Sequence, residues 1–142
     1  MKLPVLITLL SLFLLFSCEK DYSPTGTETG SPGRFYYQSY DTLGNLLVTG
    51  WLLLNVTDST KIAGPWQLRN VSGRTDIGPQ AGEGNLIGSI IHSSISIQLN
   101  PQVRDNNLGL VGTIHENIIE GKWFWTSYAG LTNWGTFTAL KN

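Results

Sequence analysis

One cysteine, one methionine, two histidines and a charged fraction of 13% are all that 142 residues hold of the side chains that carry most protein chemistry. With Cys18 as the single thiol, an internal disulfide is excluded. From Arg34 onward seven basic residues balance seven acidic ones, with no cluster of either sign. That balance leaves no basic face, so no nucleic acid is expected as a partner. The sequence has no His-Glu-x-x-His, no Gly-x-Ser-x-Gly and no phosphate-binding loop. Glu116 and Glu120 stand four apart, which on a strand gives one face and no more than that. A metal site would need His92, His115 and Glu116 to meet on one rim, and two histidines beside turns are ordinarily solvated. The expectation is therefore no cofactor, no metal, no catalytic residue and no enzyme.

The long apolar run is confined to the start, Leu3 to Phe16, 14 residues between Lys2 and the small Ser17. A spanning helix needs about 20 residues, so the run has the layout of a secretory signal instead. Residues 15–18, "LFSC", resemble the lipobox of bacterial lipoproteins, with Leu15 three before the cysteine and Ser17 just before it. The resemblance implies cleavage before Cys18 and acylation, palmitate included, of its thiol and new amino terminus. It also implies a lipid anchor in the bacterial cell envelope, at the outer membrane. The following stretch to residue 33 is rich in Gly, Thr, Ser and Pro and reads as a flexible tether reaching about 20 Å. The expected organisation is thus a signal peptide at 1–17, a lipidated Cys18 and tether at 18–33, and one folded domain at 34–142.

That domain shows no helical period. Apolar residues alternate, and Gly, Asn, Asp, Ser and Pro punctuate at short intervals, which predicts strands at 35–41, 46–56, 61–71, 84–91, 94–99, 108–115, 117–127 and 135–141. Short turn-like links between them predict an all-β antiparallel meander. The longest gap, 72–84, has no core pattern and is expected to be a mobile loop.

Five strands place a glycine between two large apolar residues on one face: Gly50, Gly64, Gly88, Gly112 and Gly121. Glycine inside a strand costs about 0.5–1 kcal/mol against alanine, so its repetition on the inward face asks for a reason. Small inward residues let strands coil and make room for large side chains from across the interior. This pattern predicts a small barrel, closed or nearly so, with a two-sheet β-sandwich as the alternative. Pro65 lies inside the third strand, where its missing N–H predicts a bulge or an opening.

The ending "NWGTFTALKN" looks like the closing strand of avidins, and "GPW" (64–66) and "GKW" (121–123) are similar to the Gly-x-Trp of lipocalins. The resemblance to these calycin-type barrels implies an architecture. None of the polar residues by which avidins hold biotin is matched, so no biotin site is carried over. On the alternating faces Trp66, Trp123, Trp125 and Phe137 point inward, as pocket lining or as filler, whereas Trp51 and Phe124 point out. Residues 125–135, "WTSYAGLTNWG", form a candidate aromatic recognition loop that adds Tyr128 and Trp134. The candidate ligand-binding set is these six aromatics. The functional expectation is a membrane-anchored, non-catalytic binding module for a small apolar ligand or an envelope partner. The alternative is an inhibitor or accessory subunit of an envelope enzyme or transport complex that works through its end loops.

Overall fold

Alternation of apolar and polar residues gives a strand one buried and one wet face, and a sheet of such strands must close or stack to hide the buried one. In the computed structural model, which describes residues 33–142, it closes. The elements are β1 (Gly33–Tyr40), β2 (Leu46–Val56), β3 (Lys61–Asn70), β4 (Gly82–Ile91), β5 (Ser94–Gln98), β6 (Asn106–His115), β7 (Ile118–Ser127) and β8 (Gly130–Lys141). Each pairs antiparallel with the next, and β8 returns to β1 from Phe35↔Lys141 to Tyr40↔Thr136. The fold is an all-β up-and-down meander shut into an eight-stranded barrel, so the sandwich alternative is excluded. The signal segment, Cys18 and the tether up to residue 32 lie outside the described residues, and β1 takes in Gly33, one residue within the expected tether.

The interior is occupied by side chains. Phe35, Tyr37, Leu52, Leu86, Leu110, Trp123 and Phe137 are all buried, and the Tyr37 and Phe137 rings stack with centroids 5.6 Å apart. Burying a large apolar side chain is worth about 1.5–3 kcal/mol, and more than twenty such residues make this one core.

The inward glycines serve a closer fit than the sequence suggests. A Cβ on Gly50, Gly64, Gly88, Gly112, Gly121 or Gly135 would lie 2.0–2.2 Å from a backbone carbonyl oxygen of an adjoining strand. The space is taken mainly by neighbouring backbone, not by a side chain reaching across the interior. Gly112 and Gly121 face each other directly in the β6–β7 ladder. Such contacts let the strands coil tightly enough to close on a small radius.

Pro65 is accommodated by a short local opening of the β2–β3 ladder and not by a bulge. Leu52 pairs with Trp66 and Asn55 with Ala63 in one constant register, and pairing lapses only in between, opposite Gly64 and Pro65. On its other side Pro65 stands opposite Asn85. True register shifts occur at Ser39/Tyr40 and at Trp125/Thr126. Both fall at the same end of the barrel, where bulges commonly shape a rim.

An even-numbered meander sorts its connections between two ends. Gly33, Asn142 and the tight links at 57–60, 92–93 and 116–117 share one, the terminal end. There the Asn142 N–H donates to the Arg34 carbonyl at 2.9 Å. The links at 41–45, 71–81, 99–105 and 128–129 share the other. The expected recognition loop at 125–135 is mostly strand: β7 and β8 continue through it, leaving Tyr128 and Ala129 as the turn.

Two terminal-end turns carry a local cost. His92 and Glu116 open two-residue hairpin links at φ of +56° and +49°, a conformation that suits Gly or Asn. Glu116→Asn is expected to raise stability by about 0.5–1 kcal/mol. Gly121→Ala is expected to lower it by about 2–3 kcal/mol, since a methyl group must displace the Val111 carbonyl. Denaturant titration of both variants checks the two signs, and an unchanged midpoint for Gly121→Ala would refute the close-approach argument.

Candidate functional site

The segment at 71–81, for which the sequence shows no core pattern, folds back over the barrel end as a lid and contributes Ile77 to the core. Its path is set locally. The Asn70 side-chain oxygen accepts from the Ser72 N–H (3.0 Å), the Ser72 hydroxyl (2.9 Å) and the Gly73 N–H (3.1 Å). The Leu47 carbonyl accepts from the Val71 and Ser72 N–H groups. Gly78 is at φ +65°, and a Cβ there would lie 2.5 Å from the Trp125 ring. Only glycine meets both the conformation and the contact.

The lid presses two side chains into the mouth, Ile77 and Gln80, the latter fully buried. The Tyr37 hydroxyl donates to Gln80 Oε1 (3.2 Å), and Gln80 Nε2 donates to the Ile77 carbonyl (2.9 Å). Burial pushes the Tyr37 phenol well above its ordinary range, and the Ser39 hydroxyl close by offsets part of that shift. Ser39 Oγ completes no hydrogen bond although it is wholly buried. An orphaned buried hydroxyl costs about 1–3 kcal/mol.

Outside, the lid is fastened by polar groups. Arg74 spans two carboxylates, bonding Asp76 through Nε (2.8 Å) and Nη2 (2.5 Å) and Asp41 through Nη1 (2.8 Å). Asn133 Nδ2 donates to the Asp76 carbonyl (2.7 Å) and Asn100 Nδ2 to the Pro79 carbonyl (3.1 Å). Asp41 is held below the usual carboxylate range by the side-chain amide and backbone N–H of Asn45, with the Leu43 N–H and Arg74 adding to the effect. Asp76 is held low chiefly by the Arg74 guanidinium.

The six aromatic candidates gather towards this end in three different settings. Trp66, Trp123 and Phe137 are buried filler. Trp66 Nε1 donates to the Leu99 carbonyl and Trp123 Nε1 to the Tyr40 carbonyl, both at 2.8 Å, which pins the flanking turns to the core. Trp125 packs against the core as its inward face implies. It is only half-buried at the rim, where its Nε1 donates to Asn106 Oδ1 (2.7 Å) and its ring backs the lid at Gly78. Tyr128 and Trp134 are exposed, with the Lys122 ammonium 5.6 Å from the Trp134 ring centroid. Trp51 and Phe124 sit on the outer wall, Trp51 beneath the Arg34 guanidinium.

Sequence reading missed Tyr37, Ser39, Arg74 and Gln80, whose partners lie up to 43 residues away in sequence. Of the rim it named Tyr128 and the stretch holding Leu131, and it missed Leu43, Val71 and Val103. Leu43 is 86% exposed and Tyr128 91%, and Val71, Val103 and Leu131 are exposed beside them. Every connection at the lidded end thus shows solvent a large apolar or aromatic side chain. Surface recesses lie on the outer wall over the glycines, one of them between Trp51, Gln67, Arg69 and Glu83 over Gly50. The hairpins bearing His92 and His115 do open on one end. Even so, among the described residues no three His, Cys, Asp or Glu side chains gather to hold a metal.

Comparison with protein-family models, with curated proteins and with solved structures gives no match. The functional reading therefore rests on geometry and chemistry alone.

The lid fastening is pH-dependent with a definite sign. Asp41 and Asp76 ionise more readily in the folded chain than at the ordinary aspartate value of about 3.9. The stability they add is complete above that value and is lost as pH falls through their lower folded values. Thermal midpoints measured from pH 6 down to pH ~2 should therefore fall more steeply below pH ~4 for the native chain than for the double variant Asp41→Asn, Asp76→Asn. Equal slopes would mean that the carboxylates do not hold the lid.

Proposed function

We propose that the protein is a bacterial envelope lipoprotein, anchored at the outer membrane through lipid on Cys18. Its calycin-like barrel is a non-catalytic binding module that meets a protein partner with the lidded end. The observation that carries this reading is that the three most exposed large apolar or aromatic side chains, Tyr128, Leu43 and Leu131, all stand at the end opposite Gly33, whereas Val56, Ile91, Ile118 and Leu140 at the terminal end are only about half-exposed. Exposed apolar side chains mark a contact surface where they gather into one patch. The proposed tether joins the barrel at Gly33, so the rim is the end that can stand farthest from the lipid. An apolar ligand deep inside the barrel finds its space taken by Trp123, Tyr37, Phe35 and Phe137. This favours the end-loop mode, as an inhibitor or accessory subunit uses it. The reading gives the chain no catalytic role, and His92 and His115 stand at the terminal end, away from the rim.

The test is site-specific photo-crosslinking of the full chain in its native envelope, with a benzophenone side chain placed at Leu43 or Tyr128 and, as controls, at Asp58 or His92. One adduct of a common mass from the two rim positions and none from the controls is expected. Adducts from the control end only, or none from the rim, would refute it. In the same cells Cys18→Ala should move the protein from the membrane to the soluble fraction, which tests the anchor separately.

A further inference from the structure

A glutamine is a costly residue with which to seal an apolar mouth, because its amide must be desolvated and its rotamers frozen. A leucine would seal the mouth without either cost. Gln80 instead finds groups matched to a carboxamide: the Tyr37 hydroxyl donates to its oxygen, and the Ile77 carbonyl accepts from its nitrogen. Beside them the buried Ser39 Oγ lies close to the Tyr37 hydroxyl and completes no hydrogen bond of its own. Ile77, three residues earlier, fills the adjoining space with a branched apolar body. Together the two side chains have the make-up of one small molecule, an apolar group ending in a carboxamide.

The two halves of this contact differ in kind. Tyr37 and Ser39 belong to β1 and Phe137 to β8, paired strands of the closed wall. Ile77 and Gln80 ride on a lid with glycines at positive φ at residues 73, 78 and 82. Exposed polar contacts from Arg74 and Asn133 hold that lid down.

We propose that the mouth beneath the lid is a binding site for a small neutral molecule with an apolar body and a terminal carboxamide, and that Ile77 and Gln80 fill it in the ligand's absence. With the lid displaced, the ligand's carbonyl accepts from the Tyr37 hydroxyl, and its amide donates to Ser39 Oγ, the acceptor now left idle. The ligand's apolar body takes the place of Ile77 against the core. Ligand affinity then scales with the fraction of molecules whose lid is open. The proposal stands apart from partner docking at the rim.

Benzamide serves as the probe and toluene, which keeps the ring and lacks the amide, as the control. Binding to the full chain is read by tryptophan fluorescence and by the thermal midpoint. Benzamide should raise the midpoint of Gln80→Ala at concentrations that leave the native chain unmoved, and toluene should not. Adding Tyr37→Phe should abolish that preference for the amide. Arg74→Ala, which keeps Gln80 and only loosens the lid, should bind benzamide about tenfold more tightly than the native chain if the open fraction rises by that factor. Equal benzamide affinity in the native chain and both variants would overturn the proposal, as would toluene matching benzamide. Should Gln80→Ala fail to fold, the Arg74→Ala comparison decides alone. None of these outcomes bears on the rim crosslinks, so the two readings fail separately.

Discussion

Backbone against backbone is the contact on which this molecule depends. At six inward glycines the carbonyl of an adjoining strand occupies the place where a side chain would begin. An ordinary twisted sheet of eight short strands leaves two edges open, and each edge is a row of unpaired N–H and C=O groups. Coiling at the glycines brings β8 back to β1 and removes both. The entropic penalty of several mid-strand glycines is thus offset by a complete ladder and a sealed core. The ladder is complete enough to carry Pro65, whose missing donor costs only a short lapse in one register.

Closure on so small a radius dictates what the interior can be. Trp123, Tyr37, Phe35 and Phe137 leave little of it empty, and two of the large rings are used twice. Trp66 and Trp123 pack with their ring bodies and spend their indole N–H groups on carbonyls at the lidded end. A buried indole needs such a partner, and the turns beside those carbonyls need an anchor. One contact meets both needs, so the geometry of the lidded end follows from the packing of the core.

Legibility in the sequence tracked the range of the interaction. Strand alternation is a property of neighbours two residues apart, and with the turn-like links it predicted eight strands in an antiparallel meander. The glycine register pointed to the barrel for a reason that was half right, since periodicity shows which face a residue takes and not what lies against it. The site was legible only as a collection of aromatics. Trp66, Trp123 and Phe137 could be placed on the inner face, yet pocket wall and filler carry the same pattern. Gln80 and Ile77 could not be found, because a loop that crosses a mouth obeys no period and its partners on β1 are distant in sequence. The stretch at 125–135 misled for a related reason: its Gly, Thr, Ser and Asn have the composition of a loop, while the pairing of Trp125 with Asn133 makes it a hairpin.

The two ends of the barrel differ in how they are held, and the difference separates anchoring from recognition. At the terminal end the links are tight, two of them only two residues long, and the Asn142 N–H donates to the Arg34 carbonyl. At the lidded end the longest connection is held from outside by charged and amide groups in contact with water, which contribute little apiece and yield to salt or acid. Below it lies a core whose apolar burial is insensitive to both. A short segment held by exposed polar contacts and by two buried side chains, Ile77 and Gln80, can open at a free energy below that of global unfolding. The strands that separate the ends run about ten residues, roughly 25 Å at the usual barrel tilt. Movement of the lid therefore leaves the terminal end undisturbed, and a tether pulling there leaves the mouth undistorted.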